Sequence, residues 1–124
     1  MDKKKILIID DEPEFVAMVK MRLDANGYET LTAFNGDEGL KVAEEKVPDI
    51  ILLDIMMPEK DGYTTLLELK KKESLKDIPV IVLTAKPGMK DLFEVEGVSD
   101  YVLKPFENSE LMLKIRNILG GEDV

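Results

Sequence analysis

Pro48-Asp49-Ile50-Ile51-Leu52-Leu53-Asp54-Ile55-Met56-Met57-Pro58 is the stretch whose reading decides the fold. Ile50 to Leu53 are four consecutive aliphatic residues that follow a proline and an acid. A run this short and this apolar, bounded by turn formers, predicts a strand buried on both faces. A helix of equal burial would be longer, and Pro58 stops the pattern. The strand carries Asp54 to its carboxyl end, the rim at which open parallel sheets bind ligands. Taken alone, Asp54 could equally start a turn.

Working outward, Lys5-Ile6-Leu7-Ile8-Ile9 is a second continuous run, and it too ends in acids, Asp10-Asp11-Glu12. Pro13 suits a first helical position. Phe15, Val16, Val19 and Leu23 follow at helical spacing, and Gly27 supplies a left-handed stop. Tyr28 to Ala33 predicts a second strand, and Asn35-Gly36 opens a short helix to about Lys46. After Pro58, the polar Glu59-Lys60-Asp61-Gly62 loop leads to a helix with Leu66, Leu67 and Leu69 on one face. Lys70-Lys71-Lys72 reads as its solvated end, where cations suit the dipole. Ile78 to Leu83 predicts a fourth buried strand ending at Thr84-Ala85. Asp100 to Leu103 predicts a fifth, ending at Lys104-Pro105-Phe106. Leu111, Met112, Ile115, Ile118 and Leu119 mark a closing amphipathic helix, stopped by Gly120-Gly121. Five strands alternating with helices predict an α/β, doubly wound, five-stranded parallel sheet. No linker or repeat interrupts it, so residues 1–124 are expected to form a single domain with no output domain in this chain.

Composition narrows the chemistry. The 124 residues are 44% hydrophobic and 35% charged, as suits one globular core. No cysteine and no histidine are present, which excludes disulfides, thiolate catalysis, Cys- or His-held zinc and a phosphohistidine of its own. Chemistry must run on carboxylates, Lys, Thr, Ser or Tyr. The net charge of −9 would repel a phosphate backbone, so no direct nucleic-acid partner is expected. No apolar run approaches membrane-spanning length and the Met-Asp-Lys-Lys-Lys start has no signal-peptide core, so no membrane insertion and a cytoplasmic location are expected.

In a parallel sheet all carboxyl ends point one way. Asp10 and Asp11 from the first strand, Asp54 from the third, Thr84 from the fourth and Lys104 from the fifth must therefore converge. Each has an ordinary alternative: a helix cap for Asp10 or Asp11, a plain strand end for Thr84, a solvated turn for Lys104. Chance rarely places all five at successive strand ends. Three close carboxylates raise one another's pKa unless a cation joins them, and hard oxygen ligands favour Mg²⁺ over zinc. With a lysine and a hydroxyl as donors to an anion, the set describes phosphoryl transfer to Asp.

The motifs Ile8-Ile9-Asp10-Asp11-Glu12-Pro13, Leu53 to Pro58 with Asp61-Gly62, Leu83-Thr84-Ala85 and Tyr101 to Phe106 together resemble the receiver domain of two-component response regulators. The resemblance covers essentially the whole chain. It implies a flavodoxin-like sheet of order 2-1-3-4-5. It implies that Asp54 accepts a phosphoryl group from a histidine kinase's phosphohistidine. Asp11, Asp54 and the Met56 backbone carbonyl would bind Mg²⁺ directly, with Mn²⁺ as its substitute, and Asp10 mainly through water. Lys104 would pair with the phosphoryl oxygens, Thr84 and Ala85 would bind the group, and Tyr101 would turn inward behind it. The Lys104-Pro105 bond is expected to be cis, and Met56 and Lys86 would tune the acyl-phosphate lifetime. A plainer role for Tyr101 is packing on the last helix. The implied partners are a sensor histidine kinase or phosphotransfer protein, an unidentified downstream protein, and a weak homodimer.

One departure stands out: Thr84 to Lys104 is about two residues short for a strand–helix–strand unit of this family. The helix between the fourth and fifth strands is expected to be shortened or irregular, which bears on the output surface. Two other functions compete. A phosphorylation-independent binding module would have lost an acid or the Lys, and none is lost. A Mg²⁺-dependent phosphohydrolase would need a second Asp two residues after Asp54, where Met56 stands.

Overall fold

The computed structural model describes residues 3–55, 62–84, 98–104 and 108–120. Five strands, β1 (Lys5–Ile9), β2 (Glu29–Ala33), β3 (Ile50–Asp54), β4 (Val80–Thr84) and β5 (Asp100–Leu103), form one sheet of order β2-β1-β3-β4-β5. Every pairing is parallel. The described helices are α1 (Pro13–Ala25), α2 (Gly36–Lys46), α3 (Gly62–Lys71) and α4 (Asn108–Leu119). The predicted shortening of the helix between β4 and β5 concerns residues outside those described.

The sheet divides two cores by strand alternation. Leu7, Ile9, Ile51, Leu53, Val80 and Val82 face Leu40 and Ala43 of α2 and Leu66 and Leu69 of α3. Ile6, Ile8, Ile50, Leu52, Ile81, Leu83 and Val102 face Val16, Val19 and Leu23 of α1 and Leu111 and Ile115 of α4. Such double burial is what makes the strands read as unbroken apolar runs rather than alternating ones. After Lys5 at the start of β1, the strands β1, β3 and β4 carry no polar side chain until their last residue or beyond it, so the polar groups of their carboxyl ends gather at one rim.

Local chemistry sets the element ends. Pro13 begins α1, and Gly27 at φ 88° turns the chain after it. Asn35 caps α2 by accepting from the Glu38 N–H at 2.8 Å, while Glu38 Oε1 accepts from the Phe34 N–H at 2.8 Å. The two bonds satisfy donors that an uncapped helix start would leave bare. β2 starts one residue later than expected, because the Tyr28 N–H is taken by Leu23 O at 3.1 Å in the turn after α1. β4 likewise starts at Val80. Pro79 has no N–H for a ladder, although its carbonyl accepts from Ile51 at 3.0 Å.

Two expectations about α3 are refined. Its buried face is Gly62, Thr65, Leu66 and Leu69, with Leu67 half-buried to one side. The lysine run is more than a solvated end: Lys72 pairs with Glu44 of α2 at 2.8 Å, and burial lowers the pKa of Lys70. No described helix is long and apolar enough to cross a membrane.

Three variants test this architecture. Leu52→Ala, at a fully buried site in β3, should cost about 2–5 kcal/mol in urea unfolding, against about 0.5 kcal/mol or less for Met21→Ala on the exposed side of α1. Val47, the C-cap of α2, holds φ 45°, a left-handed conformation that penalises a β-branched residue. Val47→Gly should therefore raise stability by about 0.5–1 kcal/mol, read as a higher urea midpoint at unchanged slope.

Candidate functional site

The rim predicted from the strand ends is assembled in the fold. Asp10 follows β1 and is fully buried; Asp54 closes β3 at 3% exposure. Register sets Ile9 beside Leu53, Asp54 beside Leu83, and Thr84 beside Leu103, so the strand ends step across the sheet in line. Alternation then sorts the side chains. Asp54 continues the side of Ile50 and Leu52, toward α1 and α4. Thr84, at the end of β4, falls on the side of Val80 and Val82, as does Tyr101.

Carboxylate oxygens of Asp10, Asp11 and Asp54 lie within 4.8 Å of one another, the one such cluster among the described residues. Lys104, arriving from β5, reaches Asp10 and Asp54 from the far side. Its Nζ stands 2.8 Å from Asp10 Oδ2, 3.2 Å from Glu12 Oε1 and 3.8 Å from Asp54 Oδ2. Its own N–H donates to the Thr84 carbonyl, tying the lysine to the end of β4. Asp10 Oδ1 accepts from the Glu12 N–H at 3.0 Å.

Burial pushes the Asp10 carboxyl above its ordinary range, and its bonds from Lys104 and the Glu12 N–H offset only part of that. Burial also works against the Lys104 ammonium, but the pull of Asp10, Asp54 and Glu12 outweighs it and raises the lysine pKa. One ammonium thus serves several carboxylates. Among the described residues that leaves an oxygen-rich set short of positive charge, and the donor chemistry fits a hard divalent cation.

Of the residues expected here, Asp10, Asp11, Asp54 and Lys104 are brought together, and Thr84 stands at the same rim on the other face of the sheet, joined to Lys104 through its carbonyl. Met56, Ala85, Lys86 and Pro105 lie outside the described residues. Tyr101 is half-buried against the core that α2 and α3 cover, not on the last helix as its plainer role supposed. The two-residue period of β5 instead turns Val102 toward α4.

Three residues named in the sequence patterns are given no part in the site by them. Glu12 is an ion partner of Lys104, and the Phe15 ring lies 4.2 Å beneath the same ammonium. Nothing in spacing alone pairs residues about ninety positions apart, although their places after β1 and β5 put them at the same rim. Gly62 is the third. Its N–H donates to the Ile55 carbonyl at 3.1 Å, and a Cβ there would sit 2.6 Å from Ile55 Cα and against the Asp54 carbonyl. Because both obstacles are backbone, Gly62→Ala should cost about 1–3 kcal/mol in chemical denaturation, as forced overpacking does.

Comparison with known proteins agrees with this geometry. Residues 6–116 match the family model of the response regulator receiver domain. A probable transcriptional regulator, ycf27, of Pyropia yezoensis is 42% identical over 124 residues, spanning 98% of this chain and 49% of that protein. The DNA-binding dual master transcriptional regulator RpaA of Synechocystis is 37% identical over 121 residues, spanning 96% of this chain and 50% of that protein. The receiver domain of a sensor histidine kinase from Pseudomonas aeruginosa, solved with a magnesium ion coordinated in its active site cleft, superposes with a TM-score of 0.87. It shares 29% identity and covers 97% of this chain and all of its own.

The relatives overturn the expectation, drawn from the net charge of −9, that nucleic acid is no partner: one of them is named for binding DNA. The chain spans about half the length of the curated relatives it matches. Repulsion of a phosphate backbone by one acidic module sets no limit on a basic module joined to it. Sequence match, sheet order and the rim of carboxylates with its lysine agree, and the chain belongs to the response regulator receiver domains of two-component systems.

Proposed function

We propose that Asp54 is the phosphoacceptor of this receiver, taking a phosphoryl group from a histidine kinase's phosphohistidine. The observation that carries this is the meeting of Asp54 with Asp10, Asp11 and Lys104 at one sheet rim. In the transfer, an Asp54 oxygen bonds to phosphorus as the phosphorus–nitrogen bond to the donor imidazole breaks. Charge on the transferred oxygens is the main obstacle, so the protein's task is positioning and neutralisation.

Asp11, Asp54 and the Met56 carbonyl would hold Mg²⁺, or Mn²⁺ in its place, with Asp10 linked through water. The ion would supply charge neutralisation at the phosphoryl oxygens. The magnesium-bearing receiver from Pseudomonas aeruginosa supports that choice of ion. Lys104 offers its ammonium to the same oxygens, and Thr84 and Ala85 donate to them. Tyr101, on the Thr84 side of the sheet, follows Thr84 inward, which couples the added charge to a surface. Met56 and Lys86 would set the lifetime of the acyl phosphate. Residues 1–124 read as one receiver domain with no chemistry beyond its own phosphorylation and dephosphorylation. A cytoplasmic setting goes with that reading. The relatives' names favour a module that binds DNA as the target of the switch.

Intact mass after incubation with acetyl phosphate and Mg²⁺ tests the proposal. A gain of one phosphoryl group that needs the ion and vanishes in Asp54→Asn is expected; no gain in the folded, ion-loaded parent would sink it. Mg²⁺ alone should raise the melting temperature by several degrees, since at about 100 times Kd a ligand adds about 2.7 kcal/mol. Asp11→Asn should lose most of that rise.

A further inference from the structure

We infer that Glu12 and Phe15 form a resting clasp on Lys104 that holds its ammonium back from Asp54. Glu12 is thereby a positioning residue for the phosphoryl transfer. The inference rests on the reading of Asp54 as phosphoacceptor and concerns how the lysine is held before the group arrives.

The ammonium has three protons to donate. Asp10 at 2.8 Å and Glu12 at 3.2 Å each accept one, and the Phe15 ring face, with its centroid at 4.2 Å, attracts the same charge. Asp54 Oδ2, at 3.8 Å, lies beyond hydrogen-bond reach. The lysine is thus anchored toward α1 rather than toward the acceptor.

Glu12 is an unusual anchor. It occupies the N-cap of α1, where a side chain ordinarily accepts from the helix's own first N–H groups, yet its side chain makes no such bond. The two methylenes of glutamate carry its carboxylate across to β5's lysine instead. Its side chain is 64% exposed and that of Lys104 is 15% exposed. An ion pair so open to solvent holds weakly and releases readily, as a resting restraint must. Asp10, fully buried, stays with the lysine throughout; Glu12 is the partner that can let go.

The test follows Asp54 phosphorylation by acetyl phosphate at saturating Mg²⁺. In that step an Asp54 oxygen bonds to phosphorus as the acetyl oxygen–phosphorus bond breaks and acetate leaves. Glu12→Gln keeps shape and should raise the rate about two- to fivefold, the factor a partly exposed ion pair supports. Phe15→Leu, which keeps apolar bulk but removes the ring face, should raise it less. Glu14→Gln removes an equal charge from the same helical turn and should leave the rate unchanged.

Added salt should shrink the ratio of the Glu12→Gln rate to the parent rate, because screening loosens the parent's clasp. In metal-free protein, the Lys104 amine protons should exchange with water several-fold faster in Glu12→Gln than in the parent, as read by NMR. An unchanged or slower rate in Glu12→Gln, an equal rise in Glu14→Gln, or unchanged amine exchange would overturn the inference. Should the parent take no phosphoryl group, the reading of Asp54 falls, while the amine exchange still decides for or against the clasp.

Discussion

Among the described residues, several carboxylates share one ammonium at the carboxyl rim of this sheet, and the rest of the structure depends on how that imbalance is held. Asp10, Asp11 and Asp54 lie within one ion's span of each other, and the Lys104 ammonium reaches both buried acids. Such a cluster is not there for stability. Burial, chiefly, raises the Asp10 carboxyl, the nearby Glu12 charge adds to it, and the lysine compensates only in part. The fold keeps the imbalance because the acids are fixed to strands that cannot move apart.

That rigidity comes from the two cores. β1, β3 and β4 are buried on both sides, so each is locked by α2 and α3 on one face and α1 and α4 on the other. A strand shifted by one residue would exchange the faces of every side chain it carries. Register is therefore set by packing far below the rim, and it delivers Asp54 beside Leu83 and Thr84 beside Leu103 as a consequence. Gly62 adds a second lock: α3 begins against the backbone of Asp54 and Ile55, where a side chain has no room. The Asp54 carboxylate is thus held by hydrophobic packing beneath it and by a backbone contact beside it.

Alternation also divides labour at the rim. The acids and the lysine fall toward α1 and α4, whereas Thr84 and Tyr101 lie on the face covered by α2 and α3. Charge handling and the residues that would sense it are thereby placed on opposite faces but on neighbouring strands. A new charge at Asp54 would act on Thr84 through one strand spacing, without rearranging the core.

The amino-acid sequence by itself determined the element order, the parallel sheet and the identity of the five rim residues. It could do so because strands buried on both faces leave continuous apolar runs, and because parallel strands place all their carboxyl ends on one side. Sequence also recorded the stops, Gly27 and Gly120, whose left-handed backbones need no tertiary partner. What only the tertiary structure decided was which groups touch. Glu12 bonds Lys104 instead of capping its own helix, Lys72 crosses to Glu44, and Tyr101 packs away from the last helix. Those outcomes depend on distances between residues remote in the chain, and long flexible side chains reach several partners at nearly equal cost. Periodicity encodes which face a residue takes; it does not encode which neighbour on that face a charged side chain will choose.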